Sequence, residues 1–245
     1  GRRRQWQMCI RVCVVEGLLG YSYNSAGTTV FHNYGTISVD GGRVESIWLW
    51  NRSGGVIEAR PGDDGRENVV SPKVLENDGV LRVLSGTVEA VGNSASTASR
   101  VGDDGVSSGE FSGVGGSLLL EDRWEMDGSN LLGDGVVLAG TLNGQVTVPA
   151  GVSFQVSGRL YADTFGLGDL RVGTGGGSNQ SVSVHGSLHT ASTTWLGGRL
   201  DPWQGETLGG HISVESELLD ASGTLTIDGV LDFQGSTLMS CDYCH

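Results

Sequence analysis

Short stretches in which apolar and polar residues alternate, each ending at a glycine-containing turn, fill the chain from Phe31 to Phe233. Three segments of the first half align with one another: "FHNYGTISVDGG" from Phe31, "LWNRSGGVIEARPG" from Leu49 and "VLENDGVLRVLSG" from Val74. Each carries an asparagine (Asn33, Asn51, Asn77), a glycine within four residues, an alternating run and a turn. In the second half the unit is Gly-x-Leu-x-apolar, as in Gly158-Arg-Leu160, Gly168-Asp-Leu170-Arg-Val172, Gly186-Ser-Leu188, Gly198-Arg-Leu200, Gly210-His-Ile212 and Gly223-Thr-Leu225. The spacings scatter from six to about twenty residues, so the repeat is degenerate.

Alternation over four to six residues predicts half-buried strands with apolar side chains to one side. Glycine ahead of a strand suits a corner where a Cβ would clash. Asparagine tolerates the left-handed region, and stacked asparagine side chains can bond the backbone of the next turn. Nothing shows a helical period for longer than two turns, and "SASTASR" (94–100) reads as a loop. Strands of three to five residues in corner–strand–corner order predict an all-β fold, a single-stranded parallel β-helix or solenoid of roughly nine to eleven coils with short terminal caps. A β-sandwich is the alternative. The expected organisation is an N-terminal cap or extension over 1–30, solenoid repeats over 31–238 and a cysteine-containing tail over 239–245.

The segments "LLGDGVVLAGTLNGQVTVPAGVSFQVSG" (131–158) and "TTWLGGRLDPWQGETLGGHISVESELLDASGTLTIDGVL" (193–231) carry a further signal. They resemble the repeats of pectin-lyase-like β-helix proteins of the extracellular, surface type. The resemblance spans residues 31 to about 238 and rests on architectural motifs. It implies a right-handed β-helix in an extracellular setting and no catalytic residue. Polysaccharide lyases and hydrolases share that fold, so a carbohydrate-active enzyme is one alternative.

Composition narrows the picture. The chain holds 42 Gly and only 4 Pro among 245 residues, without a Gly-x-y period, which fits many strands and tight turns rather than collagen. A net charge of −13 disfavours nucleic acid and anionic membranes, which require a basic face. Lys73 is the sole lysine, and Arg2-Arg3-Arg4 form a basic run at the start. No apolar stretch reaches the roughly 18 residues of a membrane span. Residues 8–20 imitate a signal peptide, but Arg11 and Glu16 interrupt them and no cleavage site follows. Without an initiating Met, the chain reads as a processed product or a segment of something longer.

Candidate chemistry is sparse. Asp63-Asp64 and Asp103-Asp104 sit in Asp-Asp-Gly turns; weak Ca²⁺ binding there is an alternative to a plain turn role. "DGSNLLGDG" (127–135) lacks EF-hand spacing, and "GTGGG" (173–177) lacks the lysine of a phosphate loop. His32, His185, His189 and His211 are dispersed and read as surface or corner residues. Among Trp48, Trp50, Trp195 and Trp203, the first two are two apart on one strand face, where they could stack on sugar rings or line the core. Asn51-Arg-Ser53 and Asn179-Gln-Ser181 are sequons for N-glycans.

The four cysteines, Cys9, Cys13, Cys241 and Cys244, all lie outside the repeats. Solenoid ends need capping, and disulfides in the terminal segments would reinforce caps in an oxidising compartment. Coils rise about 4.8 Å each, so bonds between the two ends suit chains stacked head to tail rather than one chain. "CDYCH" also has the form of a c-type haem site, with Cys241 and Cys244 as thioether anchors and His245 as proximal ligand. Zinc would need four ligands, which one terminus does not supply. Taken together, the expectation is a non-catalytic extracellular or cell-surface solenoid: a rigid stalk, layer or filament subunit, meeting like subunits, other surface components or glycans. The alternatives are a haem-bearing filament subunit and a carbohydrate-active enzyme.

Overall fold

A computed structural model describes residues 12–15, 18–19, 30–45, 48–60, 68–71, 74–91, 106–121, 123–173, 183–197, 199–200, 207–214, 218–234 and 238–244. Every regular element among them is a β-strand. The chain divides into two compact units, Gly1–Glu125 and Met126–His245.

In the first unit, successive passes of the chain pair in parallel along three ladders. One runs Val12–Val15, Thr36–Asp40, Val56–Arg60, Val80–Val83, Glu110–Ser112. A second runs Leu18–Leu19, Arg43–Glu45, Asn68–Ser71, Gly86–Val91, Gly116–Glu121. The third is shorter: Val30–Asn33, Trp48–Asn51, Val74–Asn77. Because side chains alternate across a strand, in-register pairing stacks residues of like character into columns. Ile37, Ile57, Leu81 and Phe111 make one such column, each at most 1% exposed. Burying each contributes roughly 1.5–3 kcal/mol, which makes these columns the main source of stability. Outside the same ladder, Glu58 pairs with Arg82 and Asp40 with Arg60, register partners in both cases.

The third ladder carries polar residues into the interior. Asn33, Asn51 and Asn77 are register partners and all are buried. Asn33 Nδ2 donates to Asn51 Oδ1 at 2.7 Å, and Asn51 Nδ2 donates to Asn77 Oδ1, also at 2.7 Å. Asn51 Nδ2 also reaches Gly55 O at 3.3 Å and Val80 O at 3.2 Å. The row therefore satisfies its own amides and the carbonyls of the adjoining corner, as buried polar groups require. The glycine of each repeat follows from the same corner. A Cβ on Gly79 would overlap the Gly55 carbonyl oxygen and lie 2.8 Å from Asn51 Nδ2. The row steps 18 residues from Asn33 to Asn51 and 26 from Asn51 to Asn77. Corner loops absorb that difference while the strands hold register, which is why the sequence repeat has no fixed period.

The second unit repeats the scheme. One ladder runs Val136–Leu138, Ser153–Val156, Asp169–Val172, then through the later halves of Leu188–Trp195, Thr207–Val214 and Leu218–Phe233. Thr141–Val148 and Arg159–Gly166 pair along eight positions. Their neighbours continue through Ser183–Val184, Arg199–Leu200, Asp220–Ala221 and the strand Leu238–Cys244. In Arg159–Gly166, Leu160, Ala162 and Thr164 are buried while Arg159, Tyr161 and Phe165 are exposed, the alternation read from the sequence.

The ladders run past the span expected from the repeats. Val12–Val15 and Leu18–Leu19, placed by sequence in an N-terminal cap over 1–30, pair with Thr36–Val39 and Arg43–Val44. The tail expected over 239–245 is largely the strand Leu238–Cys244, paired with 218–225. The signal was weak there because neither segment aligns with the Asn-containing units, and Gly17-Leu18-Leu19 is a lone Gly-x-Leu near the start.

Candidate functional site

The densest polar and aromatic cluster among the described residues lies on the outer side of the asparagine ladder. Odd positions of its three strands face inward, with Leu49 and Leu75 beside the asparagines. The even positions form the row His32, Trp50, Glu76. The residue after each asparagine sits at the corner: Tyr34, Arg52 and Asp78. The backbone fixes this corner, since Arg52 N donates to Asn33 O at 2.9 Å and Asp78 N to Asn51 O at 2.7 Å.

Arg52 organises the cluster. Its guanidinium lies 4.4 Å from the centroid of the Trp50 ring. Nη1 donates to Glu76 Oε1 at 2.6 Å and to Asp78 Oδ2 at 3.1 Å, while Nε donates to His32 Nδ1 at 3.4 Å. Ser108 Oγ donates to Asp78 Oδ1 at 2.8 Å. His32 meets Trp50 edge-on at 4.7 Å and stacks on the exposed Tyr34 ring at 6.2 Å.

Glu76 is the unusual member. It is only 5% exposed, and burial pushes its carboxyl up to about 7, against the pull of Arg52 and with a smaller push from Asp78. Burial and the Arg52 charge lower His32, so its ring accepts from Arg52 rather than competing as a cation. A carboxyl that exchanges its proton near neutrality can serve as a general acid or base. Its coverage and its bond from Arg52 equally suit a buried hydrogen-bonded pin between successive strands.

The residues singled out from sequence are scattered by the fold. Trp48 is buried, and the Trp50 face is taken up by Arg52, so the pair does not form a shared open platform. Asn51 is an interior residue whose amide nitrogen has three acceptors, so the folded chain offers no free amide at that sequon. Trp195 belongs to the core. His185 stacks on Tyr161 at 4.3 Å and His189 on Phe165 at 5.5 Å, on an outer face of the second unit. His211 is exposed. Cys13 lies in the first unit opposite Ile37, while Cys241 and Cys244 lie in the second, opposite Ala221 and Leu225. Cys9, His245, Asn179, Trp203, Asp63, Asp64, Asp103 and Asp104 lie outside the described residues. Among the described residues, no three His, Cys, Asp or Glu side chains gather as a metal site would require.

Sequence reasoning missed Arg52, Glu76 and Asp78. Stacking the three aligned segments one above another would have found them: it puts His32, Trp50 and Glu76 in one row and Tyr34, Arg52 and Asp78 in the next.

Compared with models of protein families, with curated proteins and with solved structures, the chain matches none.

Proposed function

We propose that the chain is a structural, extracellular or surface-exposed β-solenoid of the pectin-lyase-like, right-handed kind, acting as a rigid stalk, layer or filament subunit. The observation that carries this reading is the in-register parallel pairing of successive passes around a self-bonded asparagine row. Such stacking yields a stiff, extendable scaffold whose stability comes from repetition rather than from one central core. Glycans and like subunits are the partners this role entails, and neither nucleic acid nor a membrane span belongs to it. Labelling intact source cells with a membrane-impermeant amine or carboxyl reagent tests the location. Recovery of labelled chain without lysis is the expected result, and labelling only after lysis defeats the reading.

A second reading, a carbohydrate-active protein, rests on one observation: Glu76, held near neutral pKa beside Asp78, Arg52 and Trp50. Incubation with neutral and acidic polysaccharides decides between them. Release of new reducing ends or unsaturated products, abolished in Glu76→Gln, would establish the enzyme; no turnover leaves Glu76 as a structural pin.

A further inference from the structure

Arg52 bridges the two outer rows of the asparagine ladder in the first unit. Its backbone is fixed in the corner row, where Arg52 N donates to Asn33 O. Its guanidinium leans back over the ring row, 4.4 Å from the Trp50 centroid, and donates to Glu76 at 2.6 Å and to His32 at 3.4 Å. Within the corner row it also holds Asp78 at 3.1 Å, and Ser108 anchors Asp78 from the next pass. Trp50 is only half-buried even with the guanidinium over its face. The Arg52 side chain is itself 24% exposed, so it borders solvent.

Both bonds that draw Arg52 over the ring row depend on protonation, and in the same sense. His32 accepts from Arg52 Nε through Nδ1, which requires that nitrogen to carry no proton. Burial and the Arg52 charge lower His32, so by linkage a proton on His32 weakens its hold on Arg52. Glu76 is raised to about 7 by burial and Arg52 opposes the rise, so a proton on Glu76 strips that contact of its charge assistance. Among the described residues, the titratable groups around Arg52 are His32 and Tyr34 on one side and Glu76 and Asp78 on the other. Asp78 binds the guanidinium away from the ring, so it tethers Arg52 when the ring row lets go.

We propose that Arg52 is a lid on the Trp50 ring, closed near and above neutrality and swung toward Asp78 in acid. Opening uncovers a flat indole face beside Glu76, on which the apolar face of a sugar can pack. The lid rests on the site of the second reading above and gives it a regulation. Polysaccharide turnover tests that reading and quenching of Trp50 tests the lid, so either can fail alone.

Acrylamide quenching of tryptophan emission reads the lid in the full chain. Subtracting the signal of Trp50→Phe isolates Trp50 among the six tryptophans. Its quenching constant should rise about twofold or more between about pH 8 and about pH 5, first as Glu76 takes its proton and then as His32 does. The far-UV circular dichroism should stay constant over that range. In Arg52→Gln the ring should be quenched at the acid level throughout. His32→Gln takes up no proton, so it should keep the ring partly covered in acid. Trp50 quenching that does not change with pH in the wild-type chain overturns the proposal, as does a change undiminished in His32→Gln. A rise that accompanies loss of the β-sheet spectrum is unfolding, and overturns it equally.

Discussion

Truncating the middle of the asparagine row should cost more than truncating its end, and the structure gives the difference. In Asn51→Ala, Asn33 Nδ2 keeps only Val56 O at 3.2 Å, and Asn77 Oδ1 loses the bond that Asn51 donates. Two amide–amide bonds vanish from the interior, at about 1–1.5 kcal/mol each. The cavity left by the side chain adds about 1 kcal/mol, for a loss of about 3–4 kcal/mol. Asn33→Ala removes a single amide–amide bond, a bond to Val56 O and the one from Gly35 N, and leaves a similar cavity, so its cost is about 2–2.5 kcal/mol. Asn51→Asp should be worse than either. It replaces a donor with an anion facing Asn77 Oδ1, Gly55 O and Val80 O, none of which can donate to it. The assay is equilibrium urea unfolding, followed by far-UV circular dichroism and by tryptophan emission, since Trp48 and Trp50 flank the row. The reasoning is refuted if Asn51→Ala and Asn33→Ala agree within about 0.5 kcal/mol, or if Asn51→Asp is no less stable than Asn51→Ala.

Gly79→Ala should destabilise by about 2–4 kcal/mol, because its Cβ meets the fixed Gly55 carbonyl rather than a movable side chain; a loss below about 0.5 kcal/mol contradicts the packing. Glu76 keeps its proton to about pH 7 when folded but ionises near 4.5 when unfolded, so its contribution is complete below pH 4.5 and is lost as pH rises through 7. With solvent screening that amounts to about 1–2 kcal/mol, and Glu76→Gln should flatten this part of the stability–pH curve; an unchanged curve refutes it. An intact mass of natively sourced protein should fall by two hydrogens for each cysteine pair and recover with reductant. A covalent haem surviving reduction would instead make Cys241, Cys244 and His245 a redox centre.

The strands were legible because alternation and register are the same fact seen twice: Leu160, Ala162 and Thr164 point inward for the reason that Arg159, Tyr161 and Phe165 do not. The asparagine row was legible too, since Asn33, Asn51 and Asn77 hold one place in three aligned segments. Long-range consequences were not. Asn51 reads locally as a sequon, and only the neighbours 18 and 26 residues away turn it into a core residue. Glu76 looks like an ordinary solvent-facing position in an alternating strand. It is buried, and its partner there, Arg52, lies one pass earlier and two positions beyond its register partner, Trp50. The terminal strands were missed because Val12–Val15 and Leu238–Cys244 pair without carrying the motif.

The most direct test of in-register stacking is a pair of engineered cysteines. Glu58 and Arg82 are register partners on the outer face of adjacent passes, where neighbouring Cα atoms lie about 4.8 Å apart and a disulfide is geometrically allowed. Glu58→Cys with Arg82→Cys should oxidise to an internal bond, mapped by peptide mass. Glu58→Cys with Leu84→Cys, two positions out of register, should not. If the first pair stays reduced, or both pairs bond equally well, the parallel ladder is not the structure of this protein.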